Sequence, residues 1–434
     1  MSKPKAANGL ARHGTYVTSL SLRDVRCFSE AQTLSLADEA GSPARWTIIL
    51  GENGVGKTTL LQVLAMACGA RYERYIYESW REYEEGPRPP LDFARGREER
   101  GFVHAMLSTA TGSRQVEFTI AGDAPRPEWA EVPRPLVCGY GAGRRIGATR
   151  FSRRHRHSKV KYGSLFVDAP LVNAEEWLLG EDYAAAKEGK AGGPAARRLE
   201  RLKELLTRIL PEVDDVRVGE PRRHWEPSVE FKTPYGWVAL DALSLGYQSL
   251  IAWMVDLAAS MFDRHEKHRE PLAEPAVVLV DEIDLHLHPK WQRDIIAFLT
   301  ERFPNAQFVA TAHSPLVVQA AEDANVVLLK RDGDHVVIEN NPADVRSWRI
   351  DQILTSDLYG LPTARPPWLD ELIAERRSIL TKATLSVSDQ RRLRLLENRI
   401  GELPGGESPE EQRAMSLILR AAKGLPKRPA RKPR

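Results

Sequence analysis

Eight consecutive residues near the N-terminus have the types and the spacing needed to hold phosphate groups. They are Gly51-Glu52-Asn53-Gly54-Val55-Gly56-Lys57-Thr58, which fit the pattern G-x-x-x-x-G-K-[ST] and precede a helical pattern that starts at Thr59. The glycines let backbone N–H groups face the phosphates, Lys57 reaches the β- and γ-phosphates, and the Thr58 hydroxyl is a ligand for Mg²⁺. The segment from 51 to 59 therefore predicts a nucleotide site with ATP and Mg²⁺ as cofactors.

An acidic pair lies far downstream, at the end of a second apolar run. Residues 276–280 read AVVLV, which is typical of a buried parallel strand, and Asp281 and Glu282 follow directly. We expect Asp281 to hold Mg²⁺ through its water shell and Glu282 to orient the attacking water. An acidic pair in this position could instead belong to the N-terminus of a helix.

A third motif lies between these two. Leu243-Ser244-Leu245-Gly246-Tyr247-Gln248 precedes an amphipathic pattern over residues 249–262. A hydroxyl and a flexible glycine at a helix N-terminus leave N–H groups and the positive end of the helix dipole free to meet a γ-phosphate. The run resembles the signature motif of ABC-type ATPases, which implies that Ser244 and Gly246 contact the nucleotide of the opposite protomer. The alternative for the same residues is an ordinary N-capped core helix.

The residues that follow Glu282 extend the resemblance. The run DEIDLHLHPKWQ, together with TAHSP at residues 311–315, is similar to ABC-type ATPases of the OLD, RecF and SMC kind. The similarity is strongest to a small bacterial ATP-binding family found in anti-phage defence operons. It implies that His313 contacts the γ-phosphate, and that residues 284–288 lie where two protomers touch. A lone histidine after a strand is ordinarily structural.

The same resemblance sets the expected fold and site. The fold class is an α/β ABC-ATPase-like P-loop NTPase head with a mixed or parallel sheet, a side β-sheet, an inserted region and a C-terminal helical module. The catalytic residues are Lys57, Glu282 and His313, and the metal ligands are Thr58 and Asp281. Arg26 or Phe28 could cover the adenine, with packing as the alternative for Phe28. No convincing glutamine loop precedes the run Gly139-Tyr140-Gly141, although transporter ATPases and SMC heads carry one.

Local charge departs from the net charge, which is only +3. From residue 144 to 161 the chain holds eight Lys or Arg residues and two histidines with no acid. Such a run favours DNA or RNA phosphates, nucleotide phosphates or an acidic partner, and a merely solvated loop is the alternative. The candidate contacts are Arg144, Arg145, Arg150, Arg153, Arg154, Arg156, Lys159 and Lys161.

Composition limits the remaining classes. The chain of 434 residues is 42% hydrophobic, enough for a large core in two or three domains. It has no apolar run of about 18 residues and no apolar leader, so we expect a cytoplasmic protein without a membrane partner. The 3 cysteines are widely spaced, which favours buried thiols over a disulfide framework or a zinc site.

The domain prediction divides the chain into five parts. Residues 1–70 and 240–343 form the ATPase head, 71–239 an inserted region, 344–426 a helical module and 427–434 a disordered basic tail. By resemblance, the function is an ATP-hydrolysing switch in which two heads, or a larger assembly, sandwich ATP and act with a separately encoded nuclease or toxin. The alternatives are a RecF-like DNA-repair factor and an ATP-bound scaffold that does not hydrolyse.

Overall fold

The structure is a computed structural model that divides into two compact units, one ending at Gly360 and one beginning at Leu361. It describes residues 10–11, 13–69, 100–120, 134–144, 163–166, 171–189, 193–210, 212–219, 228–342, 348–382 and 384–400.

A six-stranded mixed sheet forms the centre of the first unit. Its strand order is β13-β12-β3-β11-β10-β6, and every neighbouring pair is parallel except β12 with β13. The strands are β3 (Trp46–Gly51), β6 (Val137–Tyr140), β10 (Ala276–Val280), β11 (Ala306–Thr311), β12 (Asn325–Asp332) and β13 (His335–Asn340).

Both faces of this sheet are covered, which explains the continuous apolar runs of its strands. Alternate side chains of β3 and β10 enter opposite cores, because successive side chains of a strand point to opposite faces. Ile48 and Val278 lie in one core, whereas Ile49 and Val277 lie in the other, and all four are 0% exposed. The α/β fold class with a mixed sheet is therefore confirmed.

Two antiparallel sheets accompany the central one. The side sheet has the order β2-β1-β4-β5, and a smaller sheet has the order β7-β8-β9. The strands are β1 (Tyr16–Arg23), β2 (Gln32–Ser35), β4 (Gly101–Thr109), β5 (Gly112–Ile120), β7 (Asp215–Val218), β8 (Val229–Thr233) and β9 (Gly236–Ala239). Gln307, which is 0% exposed in β11, joins the side sheet to the centre. Its side chain accepts the N–H of Val17 at 2.8 Å and donates to the Val17 carbonyl at 2.7 Å.

Helices fill the space on both sides of the sheet, and several begin at side chains that cap them. Ser244 and Ser314 accept backbone N–H groups at the starts of the helices Leu245–Arg264 and Pro315–Ala320, and Pro315 stands in the first turn of the second of these helices. The helices of the first unit are α1 (Lys57–Ala67), α2 (Gly163–Phe166), α3 (Ala174–Glu188), α4 (Pro194–Ile209), α5 (Leu245–Arg264), α6 (Pro289–Arg302), α7 (Pro315–Ala320) and α8 (Ile350–Leu354). None of the described helices is both long and apolar enough to cross a membrane.

Two features differ from the expected domain boundaries. β6, inside the expected inserted region, is a strand of the central sheet, and its four residues are too few to show a strand pattern. The first unit also continues beyond residue 344, because Ile353 of α8 is 0% exposed in the main core.

The described part of the second unit is a helical hairpin. It contains α9 (Pro367–Leu380) and α10 (Val387–Ile400), which share the buried residues Leu372, Ile379, Leu393 and Leu396. Arg392 donates two hydrogen bonds to the Glu375 carboxylate at 2.6 and 2.7 Å. Residues 401–426 of the predicted helical module and the predicted tail, residues 427–434, lie outside the described residues.

Candidate nucleotide site

The predicted phosphate loop connects β3 to α1. Gly51, Gly54 and Gly56 have φ values of 147°, 81° and 87°, which L side chains rarely adopt. At Gly56 an added Cβ would also lie 2.5 Å from the Cys27 sulfur. Glu52, Asn53 and Gly54 are exposed, whereas Val55 is buried beneath the loop. The backbone of the loop is therefore accessible to a ligand on its outer side, and the buried Val55 side chain anchors the loop on its inner side.

The ammonium group of Lys57 lies under this loop. The residue is 7% exposed, and its Nζ donates to the carbonyls of Gly51 at 2.8 Å and Glu52 at 2.9 Å. Burial lowers the pKa of Lys57, and the nearby carboxylates, first Asp281, oppose that shift. The structure thus places a buried cation beside the loop that is predicted to hold phosphates.

Asp281 joins the phosphate loop to two neighbouring strands. Its carboxylate is nearly buried and accepts the Thr58 hydroxyl at Oδ2 and the Thr311 hydroxyl at Oδ1, both at 2.6 Å. Asp281 follows β10, and Thr311 ends the adjacent strand β11. A carboxylate and a hydroxyl are the hard oxygen ligands that Mg²⁺ takes. Thr58 and Asp281 therefore fit the predicted metal.

Glu282 has an unusual backbone. Its φ is 49°, in the left-handed region that non-glycine residues rarely occupy. The Glu282 N–H donates to the Thr311 hydroxyl at 2.7 Å, and its carbonyl accepts from Arg144 Nη2 at 2.8 Å. The Glu282 side chain is half-buried at the carboxyl end of the sheet. Glu282 directly follows Asp281, and its role in orienting water stays a prediction.

Arg144, the first residue of the basic run, lies inside the protein and lines a cavity together with Thr58 and Asp281. It is 6% exposed, and its guanidinium donates to the carbonyls of Gly141, Asp281 and Glu282. Burial lowers the pKa of Arg144 to about 10, against the opposing effect of nearby carboxylates. This interior position does not support a contact of Arg144 with DNA, RNA or an acidic partner, whereas a contact with nucleotide phosphates stays a prediction. The other seven basic candidates, residues 145, 150, 153, 154, 156, 159 and 161, lie outside the described residues.

His313 follows β11 and is exposed. Its backbone N–H donates to Asp284 Oδ2 at 2.9 Å. Gln292 braces the same turn, because its amide donates to the Leu287 carbonyl at 2.9 Å and accepts the Ser314 hydroxyl at 2.7 Å. The backbone at His313 is thus fixed by the segment after Glu282, while its imidazole stays accessible.

The residues of the signature motif lie at the start of α5. Ser244 is exposed and caps the helix, Leu245 is 72% exposed, and a Cβ on Gly246 would lie 2.5 Å from the His286 carbonyl. Leu245 and Gln248 border a cavity of about 760 Å³ that Thr58 and Asp281 also line. The contact of Ser244 and Gly246 with a partner's nucleotide stays a prediction.

The two candidates for the adenine side differ in position. Phe28 is 0% exposed, so it takes the packing role that was the alternative for this residue. Arg26 Nη1 donates to Thr59 Oγ1 at 3.0 Å and to Gln62 Oε1 at 3.2 Å. Thr59, the last residue of the predicted nucleotide segment, is therefore buried against Arg26 at the start of α1.

The sequence did not predict the contacts that three residues make in this site, namely Thr311, Arg144 and Gln292. Thr311 ends a predicted strand immediately before the AHSP run, and that position was the available signal. Arg144 was grouped with the basic run that it begins, and only the fold separates it. Gln292 had no signal, because its role depends on two chain segments meeting.

Two family models match the chain. The one described as "AAA domain, putative AbiEii toxin, Type IV TA system" matches residues 140–319, and one described as "AAA domain" matches residues 19–160. Together these ranges contain the phosphate loop, the Asp281-Glu282 pair and His313.

The chain matches parts of longer curated proteins. The Septu protein PtuA of Bacillus mycoides (strain KBAB4) is 27% identical over 366 residues, which are 83% of this chain and 47% of that protein. The Retron Ec83 probable ATPase of Escherichia coli is 31% identical over 153 residues, which are 35% of this chain and 27% of that protein. The chain thus spans less than half the length of either relative.

Among solved structures, a SmcHead bound to the C-winged helix domain of ScpA aligns with 75% of this chain and 97% of its own, at 14% identity and a TM-score of 0.48. For the present chain, the family matches and the curated relatives agree with the phosphate loop found on the α/β sheet. The chain carries AAA-family ATPase domains and is homologous to the Septu protein PtuA and to the retron ATPases.

Proposed function

We propose that this chain is the ATP-hydrolysing switch of a bacterial anti-phage defence system. One observation carries the enzymatic part of the proposal. Asp281 accepts hydrogen bonds from Thr58 of the phosphate-loop segment and from Thr311 of the neighbouring strand, with Glu282 directly beside it. The homology to PtuA and to the retron ATPases supports the defence role.

The proposed reaction converts ATP and water into ADP and phosphate. Lys57 places a buried positive charge against the β- and γ-phosphates, where it opposes the charge that spreads over the γ-phosphoryl oxygens. The half-buried Glu282 carboxylate orients the attacking water and accepts its proton. Mg²⁺, when bound by Thr58 and Asp281, neutralises phosphate charge and orients the phosphate oxygens. The protein contributes by positioning these groups rather than by covalent chemistry.

The proposed switch needs two chains. Ser244 and Gly246 of one protomer meet the nucleotide held by the P-loop of the other, and His313 senses the γ-phosphate from its exposed position. Exposure of Ser244, Leu245 and His313 supports this arrangement, because groups that act on a partner's nucleotide must be accessible before the heads pair. ATP binding closes the pair, and hydrolysis loosens it. The dimer, or a larger assembly of such dimers, controls a separately encoded nuclease or toxin.

The basic segment that follows Arg144 belongs to the proposal as a candidate sensor. It holds seven further Lys and Arg residues with no acid and with few aromatic residues for base stacking. Contacts with nucleic acid would therefore go to the phosphate backbone and be weakened by salt. Nucleic acid is thus a proposed trigger, beside a phage protein.

The test compares wild-type protein with Glu282→Gln, which keeps the side-chain volume and removes the base. We expect phosphate release by the wild type, and from the variant unchanged ATP affinity with a kcat that is lower by about 100-fold or more. The variant, purified from its native host with ATP and Mg²⁺, should retain a stoichiometric nuclease or toxin, identified by mass spectrometry. Wild-type hydrolysis by the variant would remove Glu282 from its role. Co-purified DNA without a protein partner would replace the defence role by a RecF-like function in DNA repair.

A further inference from the structure

The Asp281-Glu282 pair is held by both strands that neighbour β10. β6 pairs with β10, and the ladder continues one residue further, since the Asp281 N–H donates to the Tyr140 carbonyl at 2.7 Å. From the β11 side, the Thr311 hydroxyl accepts the Glu282 N–H at 2.7 Å, and the Thr311 carbonyl accepts the Ile283 N–H at 2.9 Å. The N–H groups of residues 281–283 are therefore all fixed by neighbouring strands.

Arg144 supplies the matching contacts to the carbonyl groups. Its Nη1 donates to the Asp281 carbonyl, and its Nη2 donates to the Glu282 carbonyl at 2.8 Å. These two carbonyls bracket the α-carbon of Glu282, whose φ is 49°. A non-glycine residue keeps such a conformation only where its surroundings hold it there. One planar guanidinium thus fixes the peptide groups on both sides of Glu282.

Burying the Arg144 guanidinium costs desolvation free energy, which indicates that its contacts have a role beyond structure. Arg144 is 6% exposed, and its Nε has no hydrogen-bond partner among the described residues. A merely structural clamp between carbonyl groups could be made by a neutral donor with a smaller desolvation penalty. Arg144 also lines the cavity that Thr58 and Asp281 share, so its charge lies next to the predicted phosphate position.

We propose that Arg144 is the positioning residue of the hydrolytic centre, which holds Glu282 in its left-handed backbone conformation and so aims its carboxylate at the attacking water. Arg144 lies in the turn that follows β6, the strand beside β10. The sequence before residue 139 offers no convincing glutamine loop. The role rests on the proposed hydrolysis. It acts on kcat through Glu282 and leaves nucleotide binding to the phosphate loop.

The test uses Arg144→Met, which fills similar volume without donors, and Arg144→Lys, which restores the charge and part of the hydrogen bonding. Arg114→Met is the matched control, because Arg114 is exposed on β5. We expect Arg144→Met to lower kcat by about 10- to 100-fold, as small misplacements of a catalytic group do. Its affinity for a fluorescent ATP analogue should stay within about threefold of the wild type, and Arg144→Lys should recover part of kcat.

A second readout is independent of turnover. Amide hydrogen exchange in the peptide that covers residues 281–283 should accelerate in Arg144→Met and stay unchanged in Arg114→Met. Equal losses of nucleotide affinity and kcat, unchanged kcat in a folded Arg144→Met, or unchanged exchange would each overturn the positioning role. If the wild type itself did not hydrolyse ATP, the proposed function would fail, whereas faster exchange in Arg144→Met would still establish the backbone clamp. Should Arg144→Met not fold, Arg144→Lys carries the same comparison.

Discussion

At the scale of single residues, the site depends on buried hydroxyl groups as much as on charges. Thr311 is 0% exposed, and its hydroxyl donates to Asp281 while accepting the Glu282 N–H. One hydroxyl thus sets the orientation of a predicted metal ligand and of the predicted base together. Removing it leaves a buried N–H without a partner, which costs about 1–3 kcal/mol.

We therefore expect Thr311→Val to lower the free energy of unfolding by about 1–3 kcal/mol and to lower kcat more than it weakens ATP binding. Thr47→Val is the control, because Thr47 is also 0% exposed on β3 and its hydroxyl has no hydrogen-bond partner among the described residues. That substitution should be neutral or stabilising. Thermal unfolding and steady-state hydrolysis measure both effects, and similar behaviour of the two variants would contradict the role of Thr311.

Lys57 can be tested by removal of its ammonium group. Lys57→Ala should abolish ATP binding, because the loop then lacks the cation that reaches the β- and γ-phosphates. Lys232→Ala, on the exposed face of β8, should bind ATP as the wild type does. Isothermal titration calorimetry with ATP and Mg²⁺ measures the ATP affinity of both variants. Micromolar affinity in Lys57→Ala would refute the assignment of the phosphate loop.

At the scale of elements, strands and helices bring together motifs that are far apart in the chain. β3, β11 and β10 are consecutive in the sheet, so the phosphate loop, Thr311 and Asp281 lie at one edge. The start of α5 contacts the loop that follows β10, since Gly246 lies against the His286 carbonyl in that loop. The start of α5 is therefore coupled to the segment that follows Glu282.

Gly246→Ala tests this coupling. An alanine in a helix normally gains up to about 1 kcal/mol over glycine, but a Cβ at residue 246 would lie 2.5 Å from the His286 carbonyl and force the two segments apart. Gly180→Ala, in α3 with nothing within 4 Å of the added Cβ, should stabilise the protein. We expect Gly246→Ala to unfold at a lower temperature than the wild type and to form fewer ATP-dependent dimers. A stability gain equal to that of Gly180→Ala would show that the contact does not matter.

Element boundaries followed from the sequence only where the pattern was long. The buried run of β10 and the capped start of α5 were predictable, because five consecutive apolar residues and a Ser before an apolar helical pattern are strong local signals. β6 has only four residues, and its membership of the central sheet depends on pairing with β10. No local signal carries that information.

At the scale of the whole molecule, the proposed function requires pairing of two heads. Ser244 is exposed at the start of α5, so one chain has room for a large charged side chain there, and the fold loses only the helix cap, about 1 kcal/mol. Ser244→Arg should remain monomeric when ATP is added to a Glu282→Gln background, because the arginine would block the approach of a partner's nucleotide. Ser388→Arg, on the exposed surface of α10, serves as the control. Sedimentation velocity measures the pairing, and ATP-dependent dimers of Ser244→Arg would rule out the composite site.

The sequence by itself determined the phosphate loop, the acidic pair and the α/β class, because those features depend on local residue types and on periodicity. The family matches and relatives agree with that interpretation. Only the tertiary structure decided which residues hold the acidic pair. Arg144 begins a basic run in the sequence, yet it lies in the interior against the carbonyls of Asp281 and Glu282. The physical reason is that Arg144 is separated from Asp281 by 137 positions and from Glu282 by 138 positions. Hydrogen bonds across such distances depend on the order of the strands in the sheet, which no local pattern records.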